Sequence, residues 1–75
     1  MMNRESKLYN LGNGYSIECV TLTSSYDGSK KYMINVLLTA VEWQDLVTSV
    51  GGITSPDEAN RVFKGLVEKY SKIRL

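Results

Sequence analysis

The stretch TAVEWQDLVTSVGG, residues 39–52, decides the predicted architecture of this chain, because the pattern changes there from strand to helix. Thr39 and Glu42 have the spacing of a capping box, in which each side chain accepts from the other residue's backbone N–H. The next apolar residues recur at i, i+3, i+4 and i+7, the period of one helix face: Trp43, Leu46, Val47 and Val50. A glycine pair follows, where a left-handed helix end is common. We therefore predict a short helix over residues 40–50.

A second helix is predicted to begin at the capping box formed by Ser55 and Glu58. Pro56 stands at the first helical position, where its missing N–H is no loss and its fixed φ suits a helix. Apolar residues then continue the helical period for four turns: Ala59, Val62, Phe63, Leu66, Val67, Tyr70 and Ile73. This helix needs a surface to cover with that apolar face.

The first half of the chain predicts strands, because it is rich in Tyr, Ile, Val and Thr and is interrupted by turn signals. The strands are SKLYNL, YSIECVTLTS and KKYMINVLLT, and the turns contain Asn13-Gly14 and Asp27-Gly28. The predicted fold is therefore a small two-layer α+β domain. A three-stranded antiparallel meander is followed by two helices packed on one sheet face, in the order βββαα.

The register of the second hairpin decides which apolar residues the helices cover, because a slip of one residue exchanges the two faces of a strand. A three-residue loop, Tyr26 to Gly28, places Val20 and Leu22 with the even-numbered residues of the third strand. A two-residue loop, Asp27-Gly28, places Ile17 and Cys19 there instead. In both cases the second face keeps several apolar residues, and one helical layer cannot cover it.

Composition indicates one soluble globular domain, residues 1–75, with a disordered N-terminus over residues 1–6. The chain has 75 residues, of which 43% are hydrophobic and 23% charged, and its formal net charge is +1. We expect an intracellular, cytoplasmic protein, because neither a secretory leader nor a membrane-spanning run is recognisable and the lone cysteine suits a reducing compartment.

Catalysis is not predicted, because the chain contains no histidine and therefore none of the usual nucleophile–histidine pairs or histidine metal sites. Cys19 lies within a predicted strand, where a packed apolar role is the ordinary one. The carboxylate pairs Glu42/Asp45 and Asp57/Glu58 fall in the first turns of the predicted helices, where they complement the helix dipole. No catalytic residue, cofactor or metal site is expected.

The leading functional hypothesis is a non-enzymatic protein-binding module, an inhibitor or adaptor, that uses the open sheet face or its edge and can self-associate as a homodimer. Its predicted contact residues lie on the second hairpin: Tyr26, Lys30, Lys31, Met33 and Leu37. In size and in its lack of catalytic residues the chain resembles small proteins of phages and mobile elements that bind and block a host factor. No motif carries that resemblance.

The alternative hypothesis is a nucleic-acid-binding protein. The C-terminal helix concentrates basic residues near its end: Arg61, Lys64, Lys69 and Lys72. These cations, with the tyrosines and lysines of the second hairpin, could neutralise phosphates and stack on bases. The two hypotheses differ in salt dependence, because phosphate binding weakens steeply with salt and an apolar interface does not.

Overall fold

The structure is a computed structural model that describes residues 2–73, with side chains from residue 3 onward. It contains one antiparallel sheet with the strand order β1-β2-β3-β4 and one helix that follows the last strand. The elements are β1 (Met2–Asn10), β2 (Tyr15–Ser24), β3 (Lys30–Thr39), β4 (Gln44–Ile53) and α1 (Pro56–Ser71). β1 already begins at Met2, where the sequence analysis expects disorder over residues 1–6, and Met1 lies outside the described residues.

The predicted order βββαα is wrong, because residues 44–53 form a fourth strand and not a helix. Thr39 does not cap a helix. Its hydroxyl accepts from the Gln44 side chain at 3.2 Å, and the backbone N–H of Ala40 donates to the carbonyl of Trp43 at 2.8 Å, which closes a tight hairpin turn. The segment contains four β-branched residues, Val47, Thr48, Val50 and Ile53, which fit a pleated surface, and as a strand it pairs with the second edge of β3. The fold is therefore ββββα, still a two-layer α+β arrangement.

The glycine pair that was predicted to end a helix forms a β-bulge instead. The β3–β4 register shifts between Tyr32 and Ile34, so that one extra residue of β4 lies opposite this part of β3. Gly52 has a φ of +71°, a left-handed conformation that residues with a Cβ atom adopt only at a cost. A second register shift, between Val36 and Leu37, leaves Val47 as an extra residue.

The β2–β3 hairpin has a four-residue loop, residues 25–28, which differs from both predicted loop lengths. Ser24 donates its backbone N–H to the carbonyl of Ser29 at 2.9 Å and accepts from the N–H of Gly28 at 3.0 Å. Gly28 has a φ of +73°. The side chains are distributed between the two faces as the two-residue loop predicts. Loops of four and two residues differ by an even number, so the same residues of β2 and β3 share a face. Ile17 and Cys19 accordingly share a face with the even-numbered residues of β3.

The start of α1 confirms the prediction. Ser55 precedes the helix in an extended conformation, its hydroxyl accepts from the backbone N–H of Glu58 at 3.4 Å, and Pro56 is the first helical residue. The predicted apolar face of α1 packs on the sheet, and Tyr70 is its buried member. The sheet residues buried beneath it are Ile17, Ile34, Val36 and Ile53.

The C-terminal end of α1 is held by a side chain from the β1–β2 turn. The amide nitrogen of Asn13 donates to the carbonyl of Tyr70 at 2.8 Å and to the carbonyl of Ile73 at 2.6 Å. Its oxygen accepts from the backbone N–H of Tyr15 at 3.1 Å, and the ring of Tyr15 packs against that of Tyr70 with centroids 5.2 Å apart. Asn13 thus joins the β1–β2 turn to the end of α1, where the Tyr70 carbonyl also accepts from the backbone N–H of Ile73 at 3.2 Å.

Candidate protein-binding surface

The helix covers one face of the sheet and leaves the other uncovered. The pairing registers place on this second face, called here the open face, the even-numbered residues of β1 and β2 and the odd-numbered residues of β3. From β4, Leu46 and Ser49 join it, because they lie opposite Leu37 and Asn35. The open face therefore extends across four strands, one more than predicted.

A chain of polar side chains crosses the open face, with one member from each strand. The guanidinium of Arg4 lies 3.7 Å from Glu18 Oε2, and Asn35 donates its amide to Glu18 Oε1 at 3.0 Å. Ser49 donates its hydroxyl to Asn35 Oδ1 at 2.7 Å. We call Arg4, Glu18, Asn35 and Ser49 the polar chain. Glu18, Asn35 and Ser49 pair with one another, so a partner can cover these three, whereas the guanidinium of Arg4 is 58% exposed and keeps contact with water.

Apolar side chains flank the polar chain on the open face. Leu8 and Leu46 are the most exposed, at 59% and 60% of their surface, and Leu37 lies directly opposite Leu46 and is half-buried. Beyond the other side of the polar chain, Leu22 and Met33 are half-buried. Exposed aliphatic residues on an uncovered sheet face are typical of an interaction surface. We call Leu8, Leu22, Met33, Leu37 and Leu46 the apolar set.

An open groove lies at the end of this face that is nearest the β1–β2 turn. It has a volume of about 360 Å³ and is lined by Leu8, Asn10, Ser16, Thr39 and Gln44, together with two glycines of the turn. Two amides and two hydroxyls supply the polar side chains of this lining, and within the described residues no carboxylate or cation takes part in it. The groove suits a side chain or a backbone segment of a partner better than a charged small molecule.

A separate small pocket opens on the helix side, between α1 and the first three strands. Its volume is about 190 Å³, and its lining includes Cys19 and the paired rings of Tyr9 and Phe63, whose centroids are 4.9 Å apart. Burial, and to a smaller degree the neighbouring Glu18 carboxylate, raises the pKa of the Cys19 thiol. A raised pKa makes this thiol a poor nucleophile, in agreement with a packing role.

The predicted protein-binding residues are brought together only in part. Lys31, Met33 and Leu37 lie on the open face along β3, whereas strand alternation directs Lys30 to the helix side. Tyr26 lies in the hairpin loop and is 93% exposed. Asp27, beside it, accepts from the backbone N–H of Ser29 at 2.9 Å, and this bond lowers the pKa of its carboxyl group.

The basic residues of the alternative hypothesis are exposed on α1, on the side of the molecule away from the open face. Two of the four already have partners in the chain. Lys72 lies 3.5 Å from the Glu68 carboxylate, and the Lys69 ammonium lies 5.5 Å from the centre of the Tyr70 ring. Arg61 and Lys64 are exposed on the same helix. Of the two hairpin lysines, Lys31 lies on the open face and so does not share a surface with these helix cations, whereas Lys30 lies on the helix side.

Two kinds of site are absent from the described part of the chain. No three Cys, Asp or Glu side chains among residues 2–73 are grouped so that they could hold a metal ion. Over the same residues, no helix combines the length and the hydropathy needed to cross a bilayer.

No protein-family model, curated protein or solved structure matches this chain.

Most of the open face was not predicted from the sequence. Leu46 and Ser49 were assigned to a helix, and Leu8, Glu18 and Asn35 were not recognised as members of one surface. Alternation predicts the shared face within β2 and β3, but within β4 it would separate Leu46 from Ser49, and only the extra residue Val47 brings these two to the same face. No local pattern predicts the hydrogen bonds of Asn13 to the end of α1, because its partners are 57 and 60 residues away along the chain.

Proposed function

We propose that this chain is a small protein-binding module that docks an apolar surface of another protein on its open face and acts without catalysis, as an inhibitor or adaptor does. The observation that carries the proposal is the pair of leucines, Leu8 and Leu46, each about three-fifths exposed on a face that the single helix cannot cover. Burial of such side chains against a partner contributes about 25 cal/mol for each Å² of apolar area removed from water.

The shape of the molecule supports this proposal. Its Cα radius of gyration is 13.3 Å, and its principal extents are 43 × 26 × 15 Å. A compact domain of this length is expected to have a radius of gyration of roughly 11 Å. The chain is therefore a thin slab with a small core and a large flat surface, which gains stability when a partner covers that surface.

The polar chain supports specificity in the proposed interface. An aliphatic face alone would accept many apolar partners, whereas Glu18, Asn35 and Ser49 place polar groups at fixed positions among the leucines. Arg4, at the outer end of the polar chain, stays hydrated. A partner that places an apolar group over Arg4 would bind less well, and this requirement selects among partner surfaces. We also propose an intracellular site of action, where a single half-buried cysteine stays reduced.

Photo-crosslinking from single positions tests the proposal. A benzophenone amino acid replaces Leu46 in one variant and Lys64, on the exposed side of α1, in a matched control. Both variants are irradiated in extract of the cells that carry the chain. We expect the variant at position 46 to form one dominant adduct with a different protein, and the variant at position 64 not to form it.

The adduct at position 46 should persist at high salt and disappear when Leu37→Asp is added. Three results would overturn the proposal: no protein adduct at position 46, the same adducts from both positions, or an adduct only with a second copy of the chain. Crosslinking to nucleic acid from position 64, lost steeply as salt rises, would favour the alternative hypothesis.

A further inference from the structure

The two edge strands of the sheet, β1 and β4, differ in how well a further strand could pair with them. β1 pairs with β2 without any register shift over its nine residues, so its outer edge is a regular template. β4 carries two register shifts, and bulges bend a strand and disturb regular pairing on its outer edge. No element covers the outer edge of β1, because the backbone of α1 lies over β2, β3 and β4, and α1 reaches β1 through the contact of Phe63 with Tyr9 on the sheet face. Edge pairing is therefore favoured at β1.

The charges on β1 complement one another in one antiparallel arrangement with a second copy of the same strand. If a two-fold axis passes through Ser6, Glu5 lies opposite Lys7 of the partner subunit, and Lys7 lies opposite Glu5 of the partner subunit. Glu5 and Lys7 are exposed, and among the described residues neither takes part in an ion pair within the chain. Opposite charges facing each other across two strands stabilise the pairing, and like charges destabilise it.

Neighbouring registers are disfavoured by the same residues. Moving the axis to residue 5 places two Glu5 carboxylates opposite each other, and moving it to residue 7 does the same for two Lys7 ammonium groups. A move by half a residue pairs side chains that belong to opposite faces of the two sheets. Only the axis at Ser6 satisfies both charged residues while both helices stay on the same side.

We propose that the chain forms a symmetric homodimer through β1, with the two-fold axis at Ser6 and reciprocal Glu5–Lys7 pairs, so that two four-stranded sheets become one of eight strands. The interface is isologous, as a two-fold axis requires. It leaves the open face free, so this inference is independent of the proposed function. Because edge pairing buries little apolar area, we expect a weak dimer that dissociates on dilution.

Charge exchange at two positions tests the dimer by sedimentation equilibrium over a wide concentration range. E5K gives a chain with two lysines at the contact and K7E a chain with two glutamates, so each variant alone repels its own copy. We expect each to weaken self-association about tenfold or more. The double variant E5K/K7E should restore it, because opposite charges again face each other.

A mixture of the E5K and K7E chains should form a heterodimer at least as readily as the unchanged chain forms its homodimer. E42K, which makes the same change of charge in the β3–β4 turn, is the matched control and should leave self-association unchanged. A monomer at every concentration for the unchanged chain would overturn the proposal. So would a dimer that E5K and E42K affect equally.

Disulfide trapping gives an independent readout of the register. In a C19S background, S6C places two thiols at the two-fold axis, where opposed Cα atoms are close enough for a disulfide. S25C, in the exposed β2–β3 loop, is the control. We expect rapid oxidation to a covalent dimer for S6C and slow oxidation for S25C. Equal rates would place the contact elsewhere and overturn the proposed axis.

Discussion

Asn35 of β3 donates its side-chain amide to the Glu18 carboxylate of β2 at 3.0 Å. Its oxygen accepts from Ser49 of β4, so one amide links three of the four strands on the open face. Asn35 is only 8% exposed, and its replacement would leave groups without partners. We expect N35A to lower the free energy of unfolding by about 1–3 kcal/mol. Urea denaturation measures this, with N60A on the exposed side of α1 as a control that should change little.

The cap that Asn13 places on α1 predicts an order among its variants. N13A removes the hydrogen bonds to the carbonyls of Tyr70 and Ile73 and the acceptor of the Tyr15 N–H, and we expect a loss of about 1–2 kcal/mol in the free energy of unfolding. N13D should lose more, because a carboxylate would face the carbonyls of Tyr70 and Ile73. N10A, which removes only an exposed turn bond to Gly12, is the control. Equal thermal stability of N13A and N10A would contradict the assigned cap.

Alanine substitutions at two glycines are expected to change the free energy of unfolding in opposite directions. A Cβ atom at Gly52 would meet no atom within 4 Å, but the φ of +71° is unfavourable for alanine, so G52A should lower the free energy of unfolding by about 1 kcal/mol. Gly65 lies within α1, and a Cβ atom there would also meet no atom within 4 Å. G65A should therefore raise the free energy of unfolding by about 0.5–1 kcal/mol. Chemical denaturation of both variants checks the pair, and the same sign for both would be inconsistent with the bulge.

Cys19 predicts a pH dependence of thiol labelling. Because burial and Glu18 raise the pKa of its thiol, the reactive thiolate is scarcer at neutral pH in the folded chain than in the unfolded one. Alkylation with iodoacetamide should be slow at neutral pH and should rise with pH into the alkaline range. Addition of urea at constant pH should accelerate it. Equally fast labelling of folded and unfolded chain at neutral pH would show that the thiol is neither shielded nor perturbed.

The sequence was sufficient to predict the start of α1 and its apolar face, because Ser55, Pro56 and the helical period agree with one another. It was not sufficient for residues 44–53. Trp43, Leu46, Val47 and Val50 have helical spacing, and they do not show the alternation of a strand, because two bulges interrupt the period of β4. The free edge of β3 favours the strand over the helix, and this edge exists only in the assembled tertiary structure. Local spacing could not reveal it.

Only those parts of the candidate surface that follow from side-chain alternation within one strand were predictable from the sequence. Met33 and Leu37 were placed on one face from alternation alone, and both lie on the open face. Leu46 was not predicted to lie on this face, because its segment was predicted to be a helix. The polar chain depends on residues that become neighbours only in the assembled sheet, such as Arg4 and Ser49, and no local pattern joins them.

The bond between Asn13 and the end of α1 also bears on the order in which the chain folds. Asn13 belongs to the turn between β1 and β2, which is synthesised well before its acceptors at Tyr70 and Ile73. During synthesis the first hairpin can form early, yet its turn amide has no helix to cap until nearly all of these residues have left the ribosome. Contacts of such long sequence separation slow folding. The contact between the β1–β2 turn and the end of α1 can therefore form only after α1 has been synthesised.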